Sequence, residues 1–162
     1  MDAGIRDYEP PDHDGVVELA LRAWAPVFAA VEDVLGPELS RRLHGGDWRP
    51  YQAQAVGSTL AAPSNRSWIA HASGRICGFV VATTADEERR IGEIVMIAVD
   101  PAQQRRGLGR ALTDHATDWL REIGMRVAVI GTGGDPGHAP ARRLYDHAGY
   151  RLFPAAQYYK AL

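Results

Sequence analysis

The residues with the clearest chemical pattern lie in one run, Val99-Asp-Pro-Ala-Gln-Gln-Arg-Arg-Gly-Leu-Gly-Arg-Ala-Leu112. An apolar, β-branched stretch stops at Pro101, passes through a basic turn and opens into a helical pattern. The first N–H groups of a helix have no partner inside it and sit at the positive end of its dipole. Gly107 and Gly109 let a ligand approach the main chain closely, and Arg105, Arg106 and Arg110 add positive charge beside those amides. Together these features suit a pyrophosphate. An ordinary strand-to-helix turn with a solvated basic face would carry the same Gly-x-Gly, so the run alone leaves both readings open. Two other phosphate binders are excluded. A P-loop needs Gly-Lys-Ser/Thr, and a dinucleotide fingerprint needs a third glycine or alanine where Leu112 stands.

Few other residues invite chemistry. The single cysteine, Cys77, lies inside the apolar run Arg75-Ile-Cys-Gly-Phe-Val-Val81 and reads as a small buried hydrophobe. One cysteine permits neither a disulfide framework within the chain nor a cysteine zinc site. No pair among the six histidines has metal-ligand spacing, so no metal is expected. His13, His44 and His71 read as surface or loop residues, His115 as the outer side of a helix and His147 as a helix end.

Elements able to position the basic turn are legible around it. A strand is expected at 4–8, and Asp12 or Asp14 can cap the helix that follows. Val16, Leu19, Ala20, Ala23, Trp24, Val27, Phe28 and Val31 recur at three- and four-residue steps, giving one apolar stripe. Pro26 is expected to kink or end a turn, Gly36-Pro37 to punctuate the helix and Gly45-Gly46 to end a second piece. A third helix is expected over 47–61. Then Ser73-Gly74 joins two β-branched runs as a hairpin, and 91–99 is apolar beyond Glu93, as in a strand covered on both faces. A helix over 107–123, a strand over 126–130, a Gly-rich loop over 131–137 and a helix over 140–148 follow, with closing strands expected at 150–153 and 157–160. The 162 residues, 46% apolar and 23% charged, fit a single domain over 1–162 with a real core. A net charge of −2 gives no sign of a nucleic-acid partner. No basic segment followed by an apolar run is visible near Met1, so no signal peptide is expected, and with no run of 18 apolar residues the expected setting is the cytoplasm, away from membrane.

Two segments together resemble a known family. Gln104-Arg-Arg-Gly-Leu-Gly109 is similar to the Gln/Arg-x-x-Gly-x-Gly/Ala motif of the GCN5-related N-acetyltransferase (GNAT) superfamily. Ala141-Arg-Arg-Leu-Tyr-Asp-His-Ala-Gly-Tyr150 resembles its second signature, Ala-x-x-Leu-Tyr-x-x-x-Gly-Phe, and Tyr158-Tyr159-Lys160 its last strand. The resemblance is strong from about Arg75 onward and weak before it. It implies an α+β fold with a mixed, mostly antiparallel sheet, splayed between the strands of residues 91–99 and 126–130, with helices on both faces. It implies acetyl-coenzyme A (acetyl-CoA) as donor. Main-chain groups at Ile97, Ala98 and Val99 would pair with the pantetheine arm, and Gln104, Arg105, Arg106, Gly107, Leu108, Gly109 and Arg110 would hold the pyrophosphate. Arg142 belongs to the expected cofactor set, as does His138, which stands where the family often has Asn.

Transfer of acetyl from a thioester to an amine needs a base, oxyanion stabilisation and a donor for the leaving thiolate. A lysine-like amine with pKa about 10.4 is neutral in about one molecule of a few thousand at pH 7, so a base contributes at most about 4–5 kcal/mol. Glu93, the one charged residue on its strand, is the expected base, directly or through water. Tyr145, matching the family's tyrosine, is the expected acid. Trp24, Phe28, Trp48 and Tyr51 offer aromatic walls for a cationic acceptor, beside Asp86, Glu87 and Glu88. The acceptor is a small-molecule or protein amine, and the chain a monomer or homodimer. Rival readings are a non-catalytic acyl-CoA-binding module and a dimer-forming domain built on the final strands.

Overall fold

The computed structural model describes residues 4–162. Five strands form one sheet in sequence order: β1 (Gly4–Asp7), β2 (Asn65–Ala72), β3 (Arg75–Asp86), β4 (Ile91–Val99) and β5 (Val127–Ile130). The first three pairings are antiparallel and β4–β5 is parallel. Four helices complete the fold: α1 (His13–His44), α2 (Trp48–Ala61), α3 (Leu108–Glu122) and α4 (Ala139–His147).

The expected apolar stripe on α1 is the buried one, with Val16, Leu19 and Ala20 fully covered. Gly36, at φ 79°, divides α1 into two helical pieces, whereas the backbone stays helical through Pro26. Ser73 and Gly74 both have positive φ, the sense that matches the twist of the hairpin they close.

Helices cover both faces of the sheet. Alternation along β3 sends Phe79 and Val81 to α1 and α2, and Val80 and Ala82 to α3. Leu112, Ala116 and Leu120 of α3 pack on the second face at helical spacing, about 1.5–3 kcal/mol for each leucine. His115 lies edge-on to Trp68 at 5.2 Å on this face, so it covers the core where an exposed position was expected.

Two features of β4 shape the site. Met96 pairs with Val81 and Ile94 with Ala82, so Val95 is an extra, bulged residue. The bulge places Val95 and Met96 together on the α1 face. In addition, β5 pairs only with residues Ile91 to Ile94, so β4 runs on to Val99 without a neighbour on that side. That opening is the splay expected between 91–99 and 126–130.

The closing strands expected at 150–153 and 157–160 are absent. Residues 151–162 are irregular and exposed and form no ladder. A strand pattern needs a partner edge, and this segment lies against none.

Candidate active site

The basic turn grows out of β4. Asp100 Oδ1 accepts from Ala102 N at 2.9 Å and starts a short turn at Pro101. Its Oδ2 accepts from Arg22 of α1 at 2.7 Å, and Asp100 N donates to Cys77 O. Burial pushes the Asp100 carboxyl up, but Arg22 and the Ala102 amide outweigh it and hold it below the ordinary value. Gln104 Nε2 donates to Val99 O at 3.2 Å, folding the turn back on the strand. Arg105, at φ 62°, and Gly107, at φ 82°, curl the chain into α3. A non-glycine in this conformation costs on the order of 1–2 kcal/mol and marks a constrained segment.

The amides of this turn are unspent. Ala111 N is the first to bond back, to Gly107 O, and Gly107 offers no side-chain cap. No acceptor among the described residues takes the N–H groups of residues 104 to 110. Gly107 and Gly109 serve different purposes. A Cβ on Gly107 would meet nothing within 4 Å, which leaves that side open to a ligand. A Cβ on Gly109 would come within 3.1 Å of Leu144 Cδ2, so this glycine lets α4 pack on α3. Arg110 ties the same junction, donating to Asp114 Oδ2 at 2.6 Å and to His147 O at 2.5 Å. Its guanidinium is thus spent on α4, whereas Arg105 and Arg106 remain exposed beside the amides.

Ile97, Ala98 and Val99 lie in the part of β4 beyond the β5 pairing, where the edge can receive an extended ligand. Glu93 sits before the bulge, opposite Thr83 on β3 and Val129 on β5. By alternation it points to the α1 face, as Val95 and Ala98 do.

Tyr145, on α4, is 8% exposed, and burial pushes its hydroxyl up to about 12, with Tyr150 adding to the shift. Its ring lies 6.3 Å from that of Tyr150, whose hydroxyl is engaged with Thr117 Oγ1 at 2.7 Å. The Tyr145 hydroxyl has no hydrogen-bond partner among the described residues and is not sealed from solvent.

His138 and Arg142 belong to a clip. Asp135 Oδ1 accepts from Gly137 N at 2.9 Å and its Oδ2 meets His138 Nδ1 at 2.5 Å. Arg142 donates to the carbonyls of Gly133 and Asp135 at 2.5 and 2.9 Å. A Cβ on Gly137 would come within 2.8 Å of Ala30 Cβ, so this loop is pressed onto α1.

Of the four aromatic residues expected to wall an acceptor site, Phe28, Trp48 and Tyr51 share one cluster with His44, and Trp24 lies apart from it. Phe28, between Val27 and Ala30, stacks on Trp48 at 4.3 Å, and His44 lies edge-on to Phe28 and Tyr51. Trp24 sits 6.4 Å from Phe79, the strand partner of Ala98. His44, expected at the surface, has a buried Nδ1 without a partner among the described residues. A pocket of about 190 Å³ opens here, lined by Glu32, Ser40, Arg41, His44 and Trp48. It is separate from Glu93, Tyr145 and the 104–110 turn, none of which lines it.

Three positioning features escaped the sequence: the Arg22–Asp100 tie, the Asp135 clip and the bulge at Val95. Asp100-Pro101 and Asp135-Pro136-Gly137 carry the signal of aspartate-capped turns, which could have found the carboxylates. The bulge left no signal, because every residue from Ile94 to Val99 is apolar.

The sequence and the fold are similar to those of known proteins. The profile of the Acetyltransferase (GNAT) family matches residues 28–150. Mycothiol acetyltransferase of Tsukamurella paurometabola is 32% identical over 149 residues, covering 90% of this chain and 47% of that protein. The chain thus spans about half the length of that relative. The fold is shared with aminoglycoside N-acetyltransferase AAC(6')-Iy, solved in complex with CoA, at a TM-score of 0.67 and 18% identity, covering 99% of this chain and 95% of that one. It is also shared with the Escherichia coli ribosomal-protein-S18-alanine N-acetyltransferase, at a TM-score of 0.65 and 22% identity over 91% of this chain and 77% of that one. With the family profile matched across both the basic turn and α4, the chain belongs to the GNAT family of acetyltransferases.

Proposed function

We propose that this chain, as one transferase domain, moves the acetyl group of acetyl-CoA onto a primary amine of a small molecule by direct attack on the thioester. The observation that carries this is the set of free amides at 104–110, flanked by Arg105 and Arg106 at the start of α3. A pyrophosphate fits such a set, since it needs several donors at a positive helix end and no residue that fills the space. The open edge at Ile97, Ala98 and Val99 continues that site toward Glu93 and suits an extended amide-bearing arm.

Glu93 takes a proton from the acceptor's ammonium, directly or through water, on the α1 face, and the neutral amine then attacks the thioester carbonyl. The second N–H proton leaves to solvent as the tetrahedral intermediate collapses and the thiolate departs. Tyr145 donates a hydrogen bond to the departing sulfur as the carbon–sulfur bond breaks. It does not give its proton up for good. A phenol near 12 facing a thiol of pKa about 8.5 would lose about 5 kcal/mol in full transfer. The hydrogen bond to a charged sulfur, worth about 1.5–3 kcal/mol, is the contribution to expect. The names of the relatives, a mycothiol acetyltransferase and an aminoglycoside acetyltransferase, support a small-molecule acceptor.

An amine panel incubated with acetyl-CoA, followed by thiol release and product mass, tests the assignment. Turnover on at least one amine is expected, and Tyr145→Phe should lower kcat about 10- to 150-fold with CoA affinity unchanged. Tight CoA binding with no turnover on any amine would make this an acyl-CoA-binding module instead.

A further inference from the structure

Arginines hold both ends of α4, but on different partners. At its start, Arg142 donates to the carbonyls of Gly133 and Asp135, which belong to the loop before it. At its end, the last four carbonyls have no partner inside the helix and must find donors elsewhere. Ala148 N donates to Leu144 O, Tyr150 N to Tyr145 O, and Gly149 N, at φ 87°, to Asp146 O. That leaves His147 O, which accepts from Arg110 of α3 at 2.5 Å. A cation there also meets the negative end of the helix dipole.

The direction of Arg110 is fixed. Its Nε donates to Asp114 Oδ2 at 2.6 Å, one turn along α3, while a second nitrogen of the same planar fork reaches His147 O. Bonds to two separate acceptors set the plane of the guanidinium and turn it toward α4. Arg105 and Arg106 differ, since they are exposed beside the unspent amides of 104–110.

α4 depends on such ties because it buries little. It has nine residues, and Tyr145 is its one buried side chain among the described residues. A reacting group displaced by about 1 Å can lose on the order of 100-fold in rate. α3, for its part, begins at the amides suited to a pyrophosphate. Arg110 therefore spans from the helix that would hold the cofactor to the helix that carries the hydroxyl.

We propose that Arg110 is a positioning residue for acetyl transfer. It fixes α4 against the start of α3, so that the Tyr145 hydroxyl stands at a set distance from the sulfur of a donor whose diphosphate lies on the 104–110 amides. It does not itself hold the diphosphate. This role rests on the transferase reading of Tyr145 and adds the link between that hydroxyl and the cofactor site.

A double-mutant cycle beside calorimetric CoA titration tests it. Arg110→Met should lower kcat about tenfold on the best amine of the panel, with the CoA Kd within about twofold of the parent's. Arg110→Lys, which returns a donor near His147 O, should recover part of the rate. In a Tyr145→Phe background, Arg110→Met should cost less than about twofold in kcat, since no hydroxyl is left to misplace. The bond between Tyr150 and Thr117 Oγ1, 2.7 Å long, is untouched by these changes and keeps a second tie to α3. Should Arg110→Met fail to fold, Arg110→Lys carries the same cycle. A CoA Kd raised tenfold or more, with kcat at saturation unchanged, would place Arg110 on the diphosphate and overturn the proposal. Losses that multiply in the double variant overturn it too, because Arg110 would then act without Tyr145. A parent inactive on every amine removes the transferase reading and this role with it, whereas an active parent with multiplying losses removes this role alone.

Discussion

Two turns in this molecule begin alike and end differently. Each follows a strand with Asp-Pro, and in each the aspartate accepts the amide two residues on at 2.9 Å and meets a basic side chain, Arg22 or His138, with its second oxygen. Each then opens a helix. At the start of α4, Ala139 N returns to Pro136 O, Pro140 has no N–H, and Arg142 fills the space by bonding two carbonyls. At the start of α3, by contrast, the amides of 104–110 have no taker and Gly107 leaves the approach clear. A helix N-terminus becomes a binding site when its donors are left unspent, and a clip when they are not.

The largest break in this contrast comes from the two glycines. Gly107→Val forces a branched side chain into φ 82°, and Gly137→Val drives one into Ala30 and Val27. Both should cost stability, about 2 kcal/mol or some 4–8 °C in Tm. Only Gly107→Val should also weaken CoA binding, by about tenfold or more, as strain of 1–2 kcal/mol disorders the amides. Calorimetric CoA titration beside thermal melts separates the two. Equal losses of affinity would mean that the turns do not differ in kind.

A smaller effect is expected at Arg22. Its bond to Asp100 anchors the α3 turn to α1, but the guanidinium is half exposed, so the pair contributes about 1 kcal/mol or less. Arg22→Met should raise the CoA Kd about two- to fivefold, and Arg22→Lys should restore part of it. A value for Arg22→Met equal to the parent's would show that the turn holds its shape through Ala102 and Gln104 alone.

Much of this was legible in the residues themselves. The strand at 91–99, the helix from 107 and the glycine stops at 124 and 149 follow local rules, in which hydrophobic period and turn residues suffice. The turn at 104–107 was visible because its glycine and arginines are a local signature. Hidden instead were features set by distant neighbours. Arg22 and Asp100 lie 78 residues apart, and Gly109 answers to Leu144, a contact no local pattern reveals. The tail misled for the same reason. Its strand pattern was read correctly as pattern, but a strand also needs an edge, and sequence does not say whose.

The smallest expected effect lies in acid. Burial raises both Asp100 and Asp135, but each is held below its ordinary value of 3.8 by partners that outweigh it: Arg22 and the Ala102 amide for the first, His138 and the Gly137 amide for the second. A carboxyl whose folded value is depressed contributes stability that is complete above the unfolded value and lost as pH falls through the folded one. The window for both therefore opens just below pH 4 and extends downward. Asp135→Asn and Asp100→Asn should each flatten the loss of stability across that window, seen as a shallower fall of Tm from pH 5 to pH 3. At pH 7 the two should part again. Asp135→Asn leaves CoA affinity within about twofold, whereas Asp100→Asn weakens it, since only the first carboxylate serves a clip whose helix end has little left to offer an anion.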